Sequence, residues 1–124
     1  MDKQTGNSIS LHSDGYIDVV VRGDQTYLSF DQLKQELEQL SEKLRFQGKD
    51  ILGLVDLTNM TGFSTGSNKA AFEILETVPY TKVALFGGNS TITTVTTLVI
   101  QAIGKRDQTR LFKDKPEALA WLLT

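Results

Sequence analysis

The sequence predicts an α/β fold: a mixed five-stranded sheet that opens with an antiparallel hairpin and continues as alternating strands and helices, four helices in all. Three observations carry this expectation. Asp14-Gly15 lies between two short runs in which apolar and polar residues alternate, the strongest short-range hairpin signal. Leu33, Leu37, Leu40 and Leu44 recur at three- and four-residue steps, the spacing of one helical face. Two apolar runs, residues 51–57 and 82–86, are each followed by a polar, glycine-bearing turn and a helical pattern. Such alternation gives right-handed crossovers and a parallel sheet.

In chain order, residues 8–12 and 16–22 are the hairpin strands, the second rich in β-branched and aromatic residues. Gly23-Asp24-Gln25 reads as the break after it. Ser29, with Gln32 three residues on, reads as an N-cap with a capping box. Phe30 joins the leucine stripe, and Gly48 reads as the terminator. The stripe lasts barely two heptads, so packing on a sheet explains it better than a coiled coil does. Residues 51–57 suit a strand buried on both faces, and 58–66 read as a polar loop. Ser67 or Asn68 is expected to cap the second helix. Its apolar face is Ala70, Ala71, Ile74, Leu75 and Val78, and Pro79 stops it. Residues 82–86 form the next strand, and Gly87-Gly88-Asn89-Ser90 turns into a third helix. Residues 92–103 carry enough β-branched side chains to resemble a strand. Yet Ile92, Val95, Leu98, Val99, Ala102 and Ile103 keep helical spacing, and periodicity outweighs propensity. Residues 109–112 are the last strand. Asp114 and Glu117 form a second capping box with Pro116 in the first turn, and Ala118, Leu119, Trp121 and Leu122 bury the closing helix.

The chain of 124 residues fits a single domain over 1–124, with the polar segment 1–7 expected to be flexible. It contains no cysteine, which excludes disulfides and thiolate chemistry and suits a reducing compartment. A net charge of −2 argues against a nucleic-acid surface. The densest basic stretch, Lys105-Arg106 with Arg110, Lys113 and Lys115, is interleaved with Asp107 and Asp114. No stretch approaches the length of a membrane span. A cytoplasmic location is expected.

Three segments resemble one family. They are Tyr16-Ile-Asp-Val-Val-Val-Arg-Gly23, Val55-Asp-Leu-Thr-Asn-Met-Thr61 and Arg110-Leu-Phe-Lys-Asp-Lys-Pro-Glu-Ala-Leu-Ala-Trp-Leu122. Together with the element order, they resemble STAS domains, the anti-sigma-factor-antagonist fold typified by SpoIIAA. The closing segment resembles the SpoIIAA-like branch, which is related to Sec14-type lipid-binding folds. The resemblance covers about residues 8–123 and implies a STAS-like sheet with a non-enzymatic role. It implies a protein partner, a regulator or kinase, in bacterial-type signalling. Family antagonists are phosphorylated on a serine of an Asp-Ser-Ser-Gly motif that opens the second helix. Here the matching stretch is Phe63-Ser64-Thr65-Gly66-Ser67, without the leading aspartate. Thr65 falls nearest the phosphorylated position, with Ser64 next.

The residues themselves leave alternatives open. Ser64, Thr65 and Ser67 precede a helix, where free N–H groups and Lys69 would hold a phosphate, or they are helix caps and turn formers. Met60 and Phe63 either fold back over the core or form an exposed contact patch with Ser67 and Lys69 at its rim. The glycines at 62 and 66 have the wrong spacing for a phosphate loop, and Gly87-Gly88-Asn89-Ser90-Thr91 reads as a tight turn and cap. His12, the one histidine, lies in the hairpin and completes no catalytic triad. Asp56 reads as an acceptor for the turn that follows it. No metal or cofactor motif is present. The leading expectation is a regulatory module acting by protein–protein interaction. The alternative is a binder of a small apolar ligand or lipid under the second and third helices. A second copy of the chain is a further candidate partner.

Overall fold

The computed structural model describes residues 6–104 and 106–124, with the side chains of Thr65 and Arg106 outside the description. The elements run β1 (Ser8–Leu11), β2 (Tyr16–Gln25), α1 (Tyr27–Phe46), β3 (Leu52–Phe63), α2 (Thr65–Thr77), β4 (Lys82–Phe86), α3 (Ser90–Ala102), a single 3₁₀ turn (Arg106–Gln108), β5 (Thr109–Phe112) and α4 (Lys115–Leu122). The five strands lie in sequence order; β1 is antiparallel to β2 and every later pairing is parallel. The expected sheet and four helices are therefore present, and residues 92–102 are helical.

Alternation along the strands sorts the core into two layers. Ile17, Val19, Val21, Val83 and Leu85 point to one face and pack with Phe30, Leu33 and Leu37 of α1, Ala70 and Leu75 of α2 and Ile92 of α3. Tyr16, Leu54, Ala84 and Phe86 point to the other and pack with Ala118 and Leu122 of α4. Three helices cover one face and one covers the other.

Four boundaries differ from the sequence reading, for one physical reason. β2 does not break at Gly23 but continues to Gln25, and β3 does not end at Leu57 but continues to Phe63. The two extensions pair with each other: Arg22 faces Asn59, Gly23 faces Met60, Asp24 faces Gly62 and Gln25 faces Phe63. Register shifts at Val20/Arg22 and Gly23/Asp24 accommodate the polar residues, and Gly23 takes φ +79°, a value open to glycine. Residues 58–63 are thus strand, not loop. The helix starts move accordingly. α1 is capped by Thr26, not Ser29: Thr26 Oγ1 accepts the Ser29 N–H at 3.1 Å and Ser29 Oγ accepts the Thr26 N–H at 2.9 Å. This closes the capping box without Gln32. α2 is capped by Ser64, not Ser67 or Asn68. At its other end α1 stops as expected: Gly48, at φ +72°, donates to Arg45 O, and Lys49 N–H reaches Leu44 O.

The end of the β2–β3 ribbon is tied by one buried amide. Gln25 is 1% exposed. Its Oε1 accepts from Asn7 Nδ2 at 2.8 Å and from Ser29 Oγ at 2.9 Å, and its Nε2 donates to Arg22 O at 2.8 Å. Its backbone carbonyl accepts the Ser64 N–H. Gly6 and Asn7 are held by the same knot: Arg22 N–H donates to Asn7 Oδ1 and Arg22 Nη1 to Gly6 O. Residues 1–5 of the segment expected to be flexible lie outside the described residues.

Truncating Gln25 removes its bonds to the partly buried Asn7 and Ser29 side chains and to Arg22 O, each worth about 1 kcal/mol. Gln25→Ala is expected to destabilise the chain by about 3 kcal/mol, read as a lowered urea midpoint. A second expectation concerns alkaline pH. Burial raises the phenol pKa of Tyr80 above 10.0, against the opposing effect of the hydrogen bond with Thr109, and burial also raises that of Tyr16, helped by Asp18 and Asp14. The folded chain holds these protons more tightly than the unfolded chain. Stability is therefore intact below pH ~10 and falls as pH rises beyond it. Tyr80→Phe should start less stable, through loss of its bonds to Leu75 O and Thr109, but lose less between pH ~8 and pH ~11.

Candidate functional site

The ribbon decides where the candidate site residues gather. β4 ends opposite Asp56, whereas β3 runs seven residues further to Phe63, roughly 23 Å of extended chain. α1 and α2 both begin at this far end, so their first turns lie side by side: a Cβ on Gly66 would sit 3.2 Å from Tyr27 Cβ. Tyr27 and Leu28 are exposed there, Leu28 at 69%. Phe63 is half-buried and Ser64 is exposed. Thr61 Oγ1 donates to Asp24 Oδ1 at 2.6 Å across the ribbon.

The other consequence is a cavity. The ribbon overshoots the rest of the sheet, and α1, α2 and α3 roof the space beside it. An apolar cavity of about 100 Å³ lies between them. Its floor includes Val19, Val55 and Leu57; Met60 and Phe63 close its ribbon end. Ala71 and Ile74 of α2 and Val95 and Val99 of α3 form the seam, and all four are half-exposed. Asn68 and Thr96 supply the polar side chains at the seam. A smaller cavity of about 40 Å³ lies beyond Leu37, Val55 and Leu75, which both cavities share as walls. It is bounded by Ser41 of α1. Ser41 is fully buried, and its hydroxyl is the only buried side-chain polar atom without a partner among the described residues.

Of the six site residues expected from the sequence, the structure brings Phe63, Ser64 and Lys69 to the ribbon end with outward exposure. Thr65 opens α2, and its side chain lies outside the described residues. Met60 and Ser67 turn inward, which corrects their place among the candidate contacts and leaves the core reading for Met60 and the turn-forming reading for Ser67. Met60 is 8% exposed and packs in the main core. Ser67 is fully buried, and its hydroxyl donates to Ser64 O at 2.7 Å, which closes the first turn of α2. Sequence reasoning missed Tyr27, Leu28 and Ser41. The first two lie between the expected strand break at Gly23-Asp24-Gln25 and the expected cap at Ser29. The signal for Ser41 was a polar residue four after Leu37 and three before Leu44, inside the leucine stripe.

The remaining motifs have structural roles. Asp56 Oδ1 accepts the Thr58 N–H at 2.9 Å. Asn89 caps α3 through Ile92 N–H, and a Cβ on Gly88, at φ +94°, would stand 2.8 Å from Ile92 Cγ2. His12 stacks on Tyr16 at 4.5 Å and accepts Asp14 N–H. Lys82 and Arg110 lie over the Trp121 ring at 4.9 and 5.2 Å, while Lys105 and the Arg106 side chain lie outside the described residues. Among the described residues, no three His, Asp or Glu converge as a metal site, and no helix is long and apolar enough to cross a membrane.

An open, mostly parallel sheet that starts with a hairpin, carries three helices on one face and a fourth on the other, and presents a helix-capping serine at one end defines a STAS-type fold. Residues 16–123 match the SpoIIAA-like family, and the chain belongs to it. An uncharacterized protein with a SpoIIAA-like fold from Shewanella loihica PV-4 superposes with a TM-score of 0.70 at 21% identity, over 98% of each chain. The anti-sigma factor antagonist SpoIIAA in its unphosphorylated form gives 0.61 at 10% identity, over 93% of this chain and 94% of that one. The Bacillus cell fate determinant SpoIIAA in its phosphorylated form gives 0.57 at 13%, over 94% and 98%. At these identities the likenesses establish the fold. No curated protein matches the sequence.

Phe63 packs partly against the core. Phe63→Ala is therefore expected to cost about 2 kcal/mol, below the 3–5 typical of a fully buried phenylalanine. A thermal melt of the variant checks this, and no change in melting temperature would place the ring outside the core.

Proposed function

We propose that this chain is a non-enzymatic, cytoplasmic regulatory module that acts by binding a protein partner at the end where α1 and α2 begin. The observation that carries the reading is the presence at one end of the ribbon of exposed Tyr27 and Leu28, opening α1, together with half-exposed Phe63 and the exposed Ser64 cap of α2. Interfaces combine such apolar anchors with a polar rim, and Lys69 and Asn68 of α2 and Thr61 of the ribbon supply that rim. Membership of the SpoIIAA-like family supports a regulatory role, as does the fold shared with an anti-sigma factor antagonist known in two phosphorylation states.

Phosphorylation of Ser64 or Thr65 would control the same surface. A helix leaves its first N–H groups without partners inside the helix and carries partial positive charge there. A phosphate at the cap or first position meets both, with Lys69 one turn on. Added charge beside Leu28 and Phe63 also changes what the patch can bind.

A second reading is favoured by the apolar cavity under α2 and α3: the domain holds a small apolar molecule. Its walls carry no charged side chain, and apolar pockets with a few polar groups are the ordinary form of small-molecule sites.

The test compares the full chain with Leu28→Asp in capture from the native host, with intact-mass analysis of the recovered protein. Leu28 is exposed, so the substitution leaves folding intact. A partner retained by the native chain should be lost on substitution, by on the order of 2 kcal/mol if Leu28 is an anchor. Phosphate, where present, should map to Ser64 or Thr65. Partners unaffected by Leu28→Asp, or phosphate confined to other residues, overturn the proposed surface or its switch respectively.

A further inference from the structure

Ser41 is in the wrong place for a serine. It occupies a core position of α1, between Leu37 and Leu44, with no exposure and no hydrogen-bond partner. Hydroxyls inside helices normally bond back to the preceding turn, and elsewhere in this chain they do. Thr77 donates to Glu73 O, Thr94 to Ser90 O, Thr96 to Ile92 O and Thr97 to Thr93 O. Ser41 does not take that option. Alanine there would form a better helix and bury no polar atom. A buried hydroxyl without a partner costs free energy in the empty protein.

The hydroxyl is in the wall of the 40 Å³ cavity, which shares Leu37, Val55 and Leu75 with the 100 Å³ cavity. Water is a poor occupant of the small one. The other polar side chain in its wall is Tyr80, whose hydroxyl already bonds Leu75 O and Thr109 Oγ1. A buried water needs two to four partners. The larger cavity reaches the half-exposed residues of the α2–α3 seam, and Val19, Leu37, Val55, Ile74 and Leu75 are walls of both cavities, so a rotamer change at Leu37 or Leu75 would join them. An apolar cavity of ~150 Å³ accommodates benzene, so the joined space suits a ring or short chain of about that size. No charged residue lines either part, which excludes an ionised ligand.

We infer that the paired cavities bind a small neutral apolar molecule with a single hydroxyl or carbonyl, and that this group is received by Ser41 Oγ. The inference rests on the apolar-ligand reading above and adds to it the chemistry of the ligand's polar end. Ser41 is a specificity determinant: it turns a greasy cavity, which would reject any hydroxyl, into one that prefers it.

Benzene and phenol have nearly the same shape and differ by the group in question. In an apolar cavity without a partner, phenol loses to benzene because its hydroxyl is stripped of water. The full chain and Ser41→Ala are titrated with each, followed by methyl chemical shifts of Leu37, Val55 and Ile74. The native chain should bind phenol at least as tightly as benzene. Ser41→Ala should weaken phenol by about tenfold or more, the equivalent of one lost hydrogen bond, and leave benzene unchanged. In the absence of ligand, Ser41→Ala should melt at a higher temperature than the native chain. Benzene binding with phenol excluded, or phenol binding unaffected by Ser41→Ala, overturns the role of Ser41 while the apolar-ligand reading stands. A lower melting temperature for ligand-free Ser41→Ala overturns it too, since the hydroxyl would then already have a partner. Failure of both ligands to shift these methyls overturns both.

Discussion

The buried amide of Gln25 is the constraint on which the ribbon end of the molecule, with the candidate site, depends. Strand extensions made of Arg22, Gly23 and Asp24 against Asn59, Thr61 and Gly62 have little intrinsic reason to stay paired. They carry no continuous apolar face, and β4 does not support them, since its pairing with β3 ends at Asp56. Gln25 compensates by satisfying both ends of its amide inside the fold, with Asn7 on one side and Ser29 on the other. Its carbonyl holds the residue that caps α2. One side chain thereby sets the end of the ribbon and the starts of two helices.

A ribbon fixed at that length has a packing consequence. Helices α1 and α2 begin beyond the edge of the five-stranded sheet, while α3 begins at the level of Gly87 and Gly88, just past β4. The three roof helices are therefore staggered, and the apolar side chains between them do not fill the space. Interiors close-pack wherever the elements allow it, so a cavity at this point follows from the stagger. α3 makes the weakest part of the roof. It carries no charged residue, six of its thirteen positions are Thr or Ser, and one interior residue, Ile92, is buried. Four of these hydroxyls, on Thr93, Thr94, Thr96 and Thr97, bond the helix's own carbonyls, which loosens a helix rather than anchoring it.

These features explain what the sequence disclosed and what it withheld. The Asp14-Gly15 hairpin, the α1 stripe and the helical period of α3 are local patterns, set by residues within a few positions of each other. Each was readable, including α3 against its own β-propensity. The β2 and β3 extensions are not local. Gly23-Asp24 is a fair strand only because Met60 and Gly62 lie opposite, and neither segment announces the other. The consequence spread: a strand read as a loop moved the expected cap of α2 by three or four residues and left open which way Met60 and Ser67 face. Thr26 and Ser29 are both hydroxyl residues three apart, so either fits an N-cap until the partner atoms are seen. Ser41 was visible as a polar residue in an apolar stripe, but only the cavity beside it gives that oddity a meaning.

The protein-binding and ligand-binding readings use overlapping material, and Phe63 is where they meet. It is exposed enough to join the patch with Tyr27 and Leu28, and buried enough to close the ribbon end of the cavity. A change there disturbs surface, cavity and core together, so no effect at Phe63 can be assigned to one of them. The side chains that separate the readings are those that touch a single compartment. Leu28 projects into solvent and lines neither cavity; Ser41 is sealed inside and reaches no surface. The same overlap has a physical meaning. A molecule held in the cavity would pack against the Phe63 ring that also forms part of the proposed patch, so occupancy inside and binding outside would act on one side chain. On the two proposed readings the roles would be linked through Phe63 rather than exclusive of each other, and by linkage each would alter the other in whatever measure the ring moves.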